Sequence, residues 1–324
     1  MRAAVVRSLG PPERITVEER PPPAARPGEV VAQVLAAAVN YADLLMVAGH
    51  YQVKPPLPFV PGLEFCGIVT SVGGDVERWH PGDRVMGATS DGGCFAEQVA
   101  VPARQLFRAP ESLPLELAAQ FLVAYGTAAW ALKRARLQAG ETVLVSGAGG
   151  GVGLAAVEVA TRMGARVVAA AGSAEKLRAA EAHGAHAILD YETETLRPAI
   201  ESLTAGRGAD IVLDTVGGRF FDEVLRCTAR HGRILVVGFA SGSIPRIPAE
   251  YLLLKNLSVL GIGFGGILAA QPADVEELIA QLLELHAAQP FTAEVGGRFA
   301  LEQTALALQR LAARLVVGKQ LILP

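Results

Sequence analysis

Cysteine is scarce in this chain: there are three, Cys66, Cys94 and Cys227, with no CxxC pair. That excludes a disulfide framework and is what a reducing compartment permits, so a cytoplasmic protein is expected. Long apolar runs are missing too. Hydrophobic residues make up 51% of the 324, yet every apolar stretch is interrupted well short of the roughly 20 residues that span a bilayer. The opening MRAAVVRSLG lacks the apolar segment of a secretory leader. Nor is there an excess of positive charge, since 29 Lys and Arg against 32 Asp and Glu leave a net charge of −3. Aromatics are at 6% and do not cluster with basic residues, unlike a nucleic-acid-binding surface. Neither a membrane nor a nucleic acid is expected as partner.

What is present falls into two textures. Up to roughly residue 115, short Val-rich runs (2–6, 29–39, 66–73, 83–87 and 94–102) alternate with turn signals such as Arg26-Pro27-Gly28 and His80-Pro81-Gly82-Asp83. No helix period intervenes, so a partly open antiparallel barrel is expected. After Ala109-Pro110 a helical stretch over 115–135 leads into a strand-and-helix alternation. Strands are expected at 142–148, 165–171, 185–191, 209–217, 232–238 and 258–264, with helices over 151–163, 174–183, near 195–204 and over 219–230. Six apolar strands with helices between them specify a doubly wound parallel sheet. In the first of these helices Val152, Ala155, Ala156, Val159, Ala160 and Met163 fall on one face. Pro272 opens a further amphipathic helix. The last stretch, about 35 residues, reads strand, helix, strand; it is too short for a domain of its own and should return to the N-terminal one.

The strand TVLVS runs directly into Gly147-Ala148-Gly149-Gly150-Gly151-Val152-Gly153 and then into a helix. Glycines let the backbone turn sharply and approach a pyrophosphate, whose charge faces the helix N-terminus. In this context the pattern A-x-G-x-x-G, ending at Gly153, is a strong dinucleotide signal. An NAD site would carry an acid at the end of the second strand, about 20 residues on. Here Ala171 ends it, followed by Gly172, Ser173, Ala174, Glu175 and Lys176. The missing carboxylate removes repulsion against a 2′-phosphate, Gly172 and Ser173 offer small donors, and Lys176 offers a charge. Tyr191 adds a hydroxyl from the neighbouring loop. Singly, Lys176 suits a solvated helix face and Tyr191 an edge aromatic equally well; together with the absent acid they favour NADPH.

The order of these parts, with Asn40-Tyr41-Ala42-Asp43, Ala48-Gly49-His50-Tyr51, Pro61-Gly62-Leu63-Glu64-Phe65-Cys66-Gly67, Asp214-Thr215-Val216-Gly217 and Gly318-Lys319, resembles the medium-chain dehydrogenase/reductase superfamily over essentially the whole chain. Within it the closest likeness is to the zinc-free quinone oxidoreductase, zeta-crystallin-like, branch. The resemblance implies an α/β protein. A GroES-like β-rich catalytic domain would span 1–120 with 288–324, and a six-stranded parallel Rossmann NADPH-binding domain would span 121–287. Zinc members hold a catalytic metal through Cys, His and Cys. The matching positions here are Asn40, Leu63 and Val123, none of which replaces such a ligand, so no metal is expected. His183 and His186 flank a helix end and suit surface positions better than a metal pair.

Without a Lewis acid to stabilise an alkoxide, substrates that are already electrophilic are expected, above all quinones. Asn40 and Tyr51 are the catalytic candidates, and the resemblance puts Asn40, Tyr41 and Thr127 beside the nicotinamide. Gly150, Gly151 and Val152 fall at the pyrophosphate, and Thr215, Gly238, Phe239, Ala240, Ile262, Gly263 and Phe264 along the cofactor. Arg314 falls near the adenine-side phosphates. Phe239 and Phe264 suit plain core packing equally well. The alternative activity is an NADPH-dependent enoyl reductase acting on α,β-unsaturated ketones or thioesters, for which Tyr51 would be the acid. A third reading, a non-catalytic crystallin-like or RNA-binding role, is disfavoured by the acidic balance. The apolar sixth strand at a sheet edge predicts a homodimer.

Overall fold

In the computed structural model, which describes residues 1–324 save the Ala269 side chain, the chain opens with two antiparallel strands, β1 (Arg2–Val5) and β2 (Thr16–Glu19). The longest strand follows, β3 (Glu29–Val39), and then a short helix, α1 (Tyr41–Ala48). Strands β4 (Glu64–Val72), β5 (Arg84–Ala88), β6 (Gln98–Pro102) and β7 (Leu106–Arg108) complete the β-rich part, which ends at helix α2 (Leu115–Ala118). Both edges of β3 are paired. One carries β4; the other carries β6 along its first half and a C-terminal strand along its second. Alternate residues of these strands bury Val30, Ala32, Val34, Phe65, Val85, Val99 and Leu106 in one core with Phe95 and Trp79.

Helix α3 (Gly126–Ala135) precedes the alternating part. There β8 (Thr142–Ser146), α4 (Gly151–Arg162), β9 (Arg166–Ala171), α5 (Ala174–Ala182), β10 (Ala187–Asp190), α6 (Leu196–Leu203), β11 (Ala209–Asp214), α7 (Phe220–Cys227), β12 (Thr228–Val236), α8 (Ala249–Lys255) and β13 (Ser258–Gly261) follow in turn. The six strands form one parallel sheet in the order β10-β9-β8-β11-β12-β13. Leu144, Val168, Val212, Phe221, Leu225 and Ile234 lie in the core beside it. The order reverses between β8 and β11, and ligands of such sheets bind outside the carboxyl ends at that point.

Helices α9 (Phe264–Ala270) and α10 (Pro272–Ala288) lead to β14 (Val295–Ala300), α11 (Thr304–Ala312) and β15 (Lys319–Leu323). The last strand is the one that pairs antiparallel with β3, and β14 pairs parallel with β15. Two compact units result. One comprises Met1–Val123, Gly265–Glu277 and Val295–Pro324; the other comprises Ala124–Phe264 and Leu278–Glu294.

Four local features differ from the sequence reading. The helix over 115–135 is broken into α2, a π-helical turn at Phe121–Tyr125 and α3. The apolar period runs through the break, which is why it does not show in the sequence. The sixth strand stops at Gly261, one hydrogen bond from Ile262 to Val236 extends it, and Phe264 already begins α9. Helices α1 and α8, short and flanked by loops, have too few turns to show a period. Finally, Gly265–Glu277 clusters with the β-rich unit, whereas the sequence reading put it in the nucleotide-binding part; an ion pair between Arg78 and Glu276 ties it there.

Candidate functional site

Within the parallel-sheet unit, the glycine loop follows β8 directly. Gly147 has φ of +61°, a left-handed conformation, and a Cβ there would stand 2.3 Å from the Thr215 hydroxyl. A Cβ on Gly153 would meet the Gly147 carbonyl oxygen at 2.3 Å, so α4 packs on the loop more closely than any side chain allows. Gly150 is different. It is the N-cap of α4, and nothing lies nearer than 3.5 Å to its missing Cβ. The N–H groups of Gly151 and Val152 therefore begin α4 on an open side, where an anion finds unpaired donors and the positive end of a helix.

A buried bracket that the sequence reading missed holds this loop to β11. Asp214 accepts hydrogen bonds from Ser146 Oγ (2.6 Å), Val216 N–H (2.9 Å) and Gly217 N–H (3.1 Å). Ser146 Oγ accepts the Thr215 N–H, and Thr215 Oγ1 donates to the Ser146 carbonyl at 2.9 Å. A serine and an aspartate, each ending an apolar strand, were the available signal. Thr215 is thus part of the scaffold at the switch point. Gly238 donates to the Asp214 carbonyl, Ala240 donates to the Thr215 carbonyl, and Phe239 lies against Gly217.

The end of β9 gathers the residues expected around a 2′-phosphate. A Cβ on Gly172 would touch the Tyr191 ring at 2.9 Å, so the tyrosine lies over the glycine, with Phe220 edge-on at 5.3 Å. Ser173 caps α5 by accepting the Lys176 N–H at 3.4 Å, which leaves its own hydroxyl hydrogen to donate. The Lys176 stem runs past Gly149, where a Cβ would stand 2.3 Å from Lys176 Cβ. Lys176 is therefore packed on the glycine loop as well as following the end of the second strand. Elsewhere in this unit Phe264 is buried against Gly126, next to buried Thr127, whereas Gly263 is exposed.

The β-rich unit holds the other expected residues. Asn40 ends β3 and caps α1, so Tyr41 is the first residue of that helix and is half-buried. Asn40 Nδ2 donates to Glu64 Oε1 at 3.0 Å and to the Ala38 carbonyl at 3.2 Å, while its Oδ1 accepts from Lys319 Nζ. The Asn40 amide is fully engaged within the protein. Asp43, wholly buried, accepts the N–H groups of Asn40 (2.7 Å) and Gly62 (3.2 Å). Burial lifts its carboxyl to about 7, against the pull of those N–H groups and of the Lys319 ammonium. Tyr51 is half-buried on the same core, and burial with the Asp43 charge raises its phenol above the usual value. Arg314 adopts a left-handed conformation just after α11 and is exposed.

Residues 26–111 match the family described as alcohol dehydrogenase GroES-like domain, and residues 151–284 match that of zinc-binding dehydrogenase. Quinone oxidoreductase-like protein 2 of Rattus norvegicus is 44% identical over 82% of this chain and 75% of its own. The chain belongs to the medium-chain dehydrogenase/reductase superfamily. Two solved members superpose on it over their whole lengths. A mycobacterial protein, Rv1454c, complexed with NADPH has a TM-score of 0.93 at 31% identity. The Escherichia coli quinone oxidoreductase complexed with NADPH has a TM-score of 0.93 at 27% identity. This member of the superfamily is accordingly an oxidoreductase built on a GroES-like and a Rossmann unit.

The zinc in one family description can be tested against the residues. Asn40 presents an amide whose oxygen is taken by an ammonium, Leu63 is apolar, and Val123 contributes a backbone N–H, which donates to Glu64 Oε2 at 2.9 Å. Glu64 itself is paired with Lys319 at 3.1 Å. These residues do not fit a zinc ion, which needs soft or imidazole ligands and would face a fixed positive charge. No group of three or more His, Cys, Asp or Glu side chains among the described residues is placed to hold a metal.

Proposed function

We propose that this chain is an NADPH-dependent quinone reductase that works without a metal. The observation that carries the reading is the buried Lys319–Glu64–Asn40 cluster, which engages Asn40 and the Val123 N–H, two of the three positions matched to zinc ligands. With no ligand set for a Lewis acid, the acceptor must itself be electrophilic, and a quinone is. The names of the rat and Escherichia coli relatives support the same reading.

Bound NADPH would supply a hydride, which with one proton from water balances the reduction of a quinone to its hydroquinone. The chain's part is to bind and orient. The open first turn of α4, at Gly150, Gly151 and Val152, receives the pyrophosphate. Ser173, Lys176 and Tyr191 would hold the 2′-phosphate near Gly172, where an acid would repel it. Arg314 serves the adenine-side phosphates. Thr215, Gly238, Phe239, Ala240, Ile262 and Gly263 would line the cofactor in the parallel-sheet unit, with Thr127 on its nicotinamide side; Tyr41, in the β-rich unit, is a further candidate for the nicotinamide. Phe264 backs Thr127 from the core.

One observation favours the second reading, enoyl reduction. Tyr51 is half-buried beside Asp43, and burial with that charge raises its phenol above the usual value. A protonated tyrosine is the donor an enolate needs. Assembly as a homodimer is part of the proposal. Strand β13 is a sheet edge, and Leu253 and Leu254 on preceding α8 are 79% and 67% exposed, apolar surface that a second copy about a two-fold axis would cover. Cys66, Cys94 and Cys227 are all free and buried, which suits a cytoplasmic protein. The test is exhaustive chelation followed by NADPH oxidation with a para-quinone. Full retention of activity with no zinc by elemental analysis is expected, and loss of activity restored by zinc would overturn the reading.

A further inference from the structure

The polar cluster in the β-rich unit is closed. Lys319, the first residue of β15, is buried, and its ammonium donates to Glu64 Oε1 (3.1 Å), the Val39 carbonyl (3.3 Å) and Asn40 Oδ1. Those three bonds match the three hydrogens it carries. Glu64 Oε1 also accepts from Asn40, and Glu64 Oε2 accepts the Val123 N–H. Four stretches distant in sequence meet at one ion pair, the β3–α1 junction, the start of β4 and the start of β15 at the ammonium and the π-helical turn at the far oxygen of Glu64. Two of them carry Asn40 and Val123, which match metal-ligand positions, and Leu63 adjoins Glu64. A charge pair this deeply buried survives only when every hydrogen bond is made, so its geometry is fixed.

We infer that Lys319 is a positioning residue, a tethered cation that holds Asn40 directly and Val123 through Glu64, and so sets the entry to α1 and the turn at Val123. Asn40, with its amide engaged on all sides, offers no donor to a substrate. Its part is to pass the hold of the ammonium to Tyr41, the first residue of α1. The tether has two chemical consequences. It is not removed by chelators, and it leaves Asn40 Oδ1 and Glu64 Oε1 already engaged by an ammonium, so that a divalent ion would compete with a fixed like charge for them.

The kinetic part of the test rests on the proposed quinone reductase activity; the structural part does not. Lys319→Met alone leaves Glu64 buried and unpaired and is prone to misfold, so the informative variant is Lys319→Met with Glu64→Gln, which removes both charges. Lys319→Arg keeps the cation. Hydrogen exchange by mass spectrometry is read on peptides covering Asn40–Ala48 and Gln120–Val123, with melting temperature alongside. In the double variant both segments should exchange at least tenfold faster than in the wild type, while β8 to β13 stay as protected. Lys319→Arg should restore most of the protection. kcat with NADPH and a quinone should fall at least tenfold in the double variant, with KM for NADPH within about twofold. If the double variant melts like the wild type and neither segment loosens, Lys319 only balances Glu64 and the inference is overturned. If both segments loosen but the wild type reduces no quinone, the positioning role stands and the proposed function fails.

Discussion

Replacing Gly153 with alanine tests the geometry of the cofactor loop at a position where nothing can move aside. The new Cβ would stand 2.3 Å from the Gly147 carbonyl oxygen and 2.7 Å from Ala148 Cα. Ordinary contact needs more than about 3.4 Å, and both obstacles are backbone of the turn itself. Helix α4 must therefore lift from β8 by roughly 1 Å. Overpacking of this kind costs about 1–3 kcal/mol, and at about 2–4 °C per kcal/mol for a unit of this size the melting temperature should fall by about 2–12 °C. The lifted helix also misdirects the Gly151 and Val152 N–H groups, and a 1 Å misplacement of such a clamp costs on the order of 10²-fold. Gly150→Ala is the control. Its Cβ has 3.5 Å of clearance and a φ of −89°, so stability should stay within about 1 kcal/mol, while a ligand approaching that open side is obstructed. The assay is differential scanning fluorimetry with and without NADPH, checked by fluorescence titration. A Gly153→Ala protein that melts within a degree of the wild type and binds NADPH equally well would refute the reasoning.

Lys176→Ala should lower the preference for NADPH over NADH at least tenfold, since one charge-assisted phosphate hydrogen bond is worth about 1.5–3 kcal/mol. Gly149→Ala, whose Cβ would displace Lys176 at its root, should shift the kcat/KM ratio the same way. Asp43 sets a pH dependence: burial raises its carboxyl from near 4 to about 7, so the folded state holds the proton more tightly than the unfolded chain. That contribution favours folding at low pH and is lost as pH rises from about 4 to 7, by up to about 4 kcal/mol. In denaturant titrations at pH 5 and pH 8, Asp43→Asn should destabilise more at pH 5 than at pH 8; an equal or reversed difference would contradict this. Leu253→Lys should convert the proposed dimer to monomer by light scattering, and a wild type that is monomeric at micromolar concentration would end that proposal.

The nucleotide-binding half was legible because its signals are local. The glycine run sits between an apolar strand and an amphipathic helix, and Lys176 packs against Gly149 while Tyr191 lies over Gly172. The Asp214–Ser146 bracket and the Lys319–Glu64–Asn40 cluster were not read, although all five residues stand in strands or at their ends. Their partners are 68, 255 and 24 residues apart, and a single sequence carries no sign of which charge meets which. Asn40 shows the consequence. Its place was readable, but the direction of its amide depends on Lys319, which follows it by 279 residues. The π-helical turn was invisible for a different reason: the Val123 N–H within it goes to Glu64, outside the helix, while the apolar period continues unbroken.

The most direct measurement is kcat/KM for the purified enzyme with NADPH and with NADH against ortho-quinones, para-quinones, enones and crotonyl thioester, repeated on Tyr51→Phe. The account predicts that NADPH with quinones is fastest, that NADH is slower by tenfold or more, and that Tyr51→Phe keeps most of the quinone rate because the hydroquinone anion takes its proton from water. Removing a general acid would instead cost about 10²–10⁴ on an enone or thioester. An enzyme fast on crotonyl thioester, inert towards quinones and crippled by Tyr51→Phe would contradict the proposed function and establish enoyl reduction in its place.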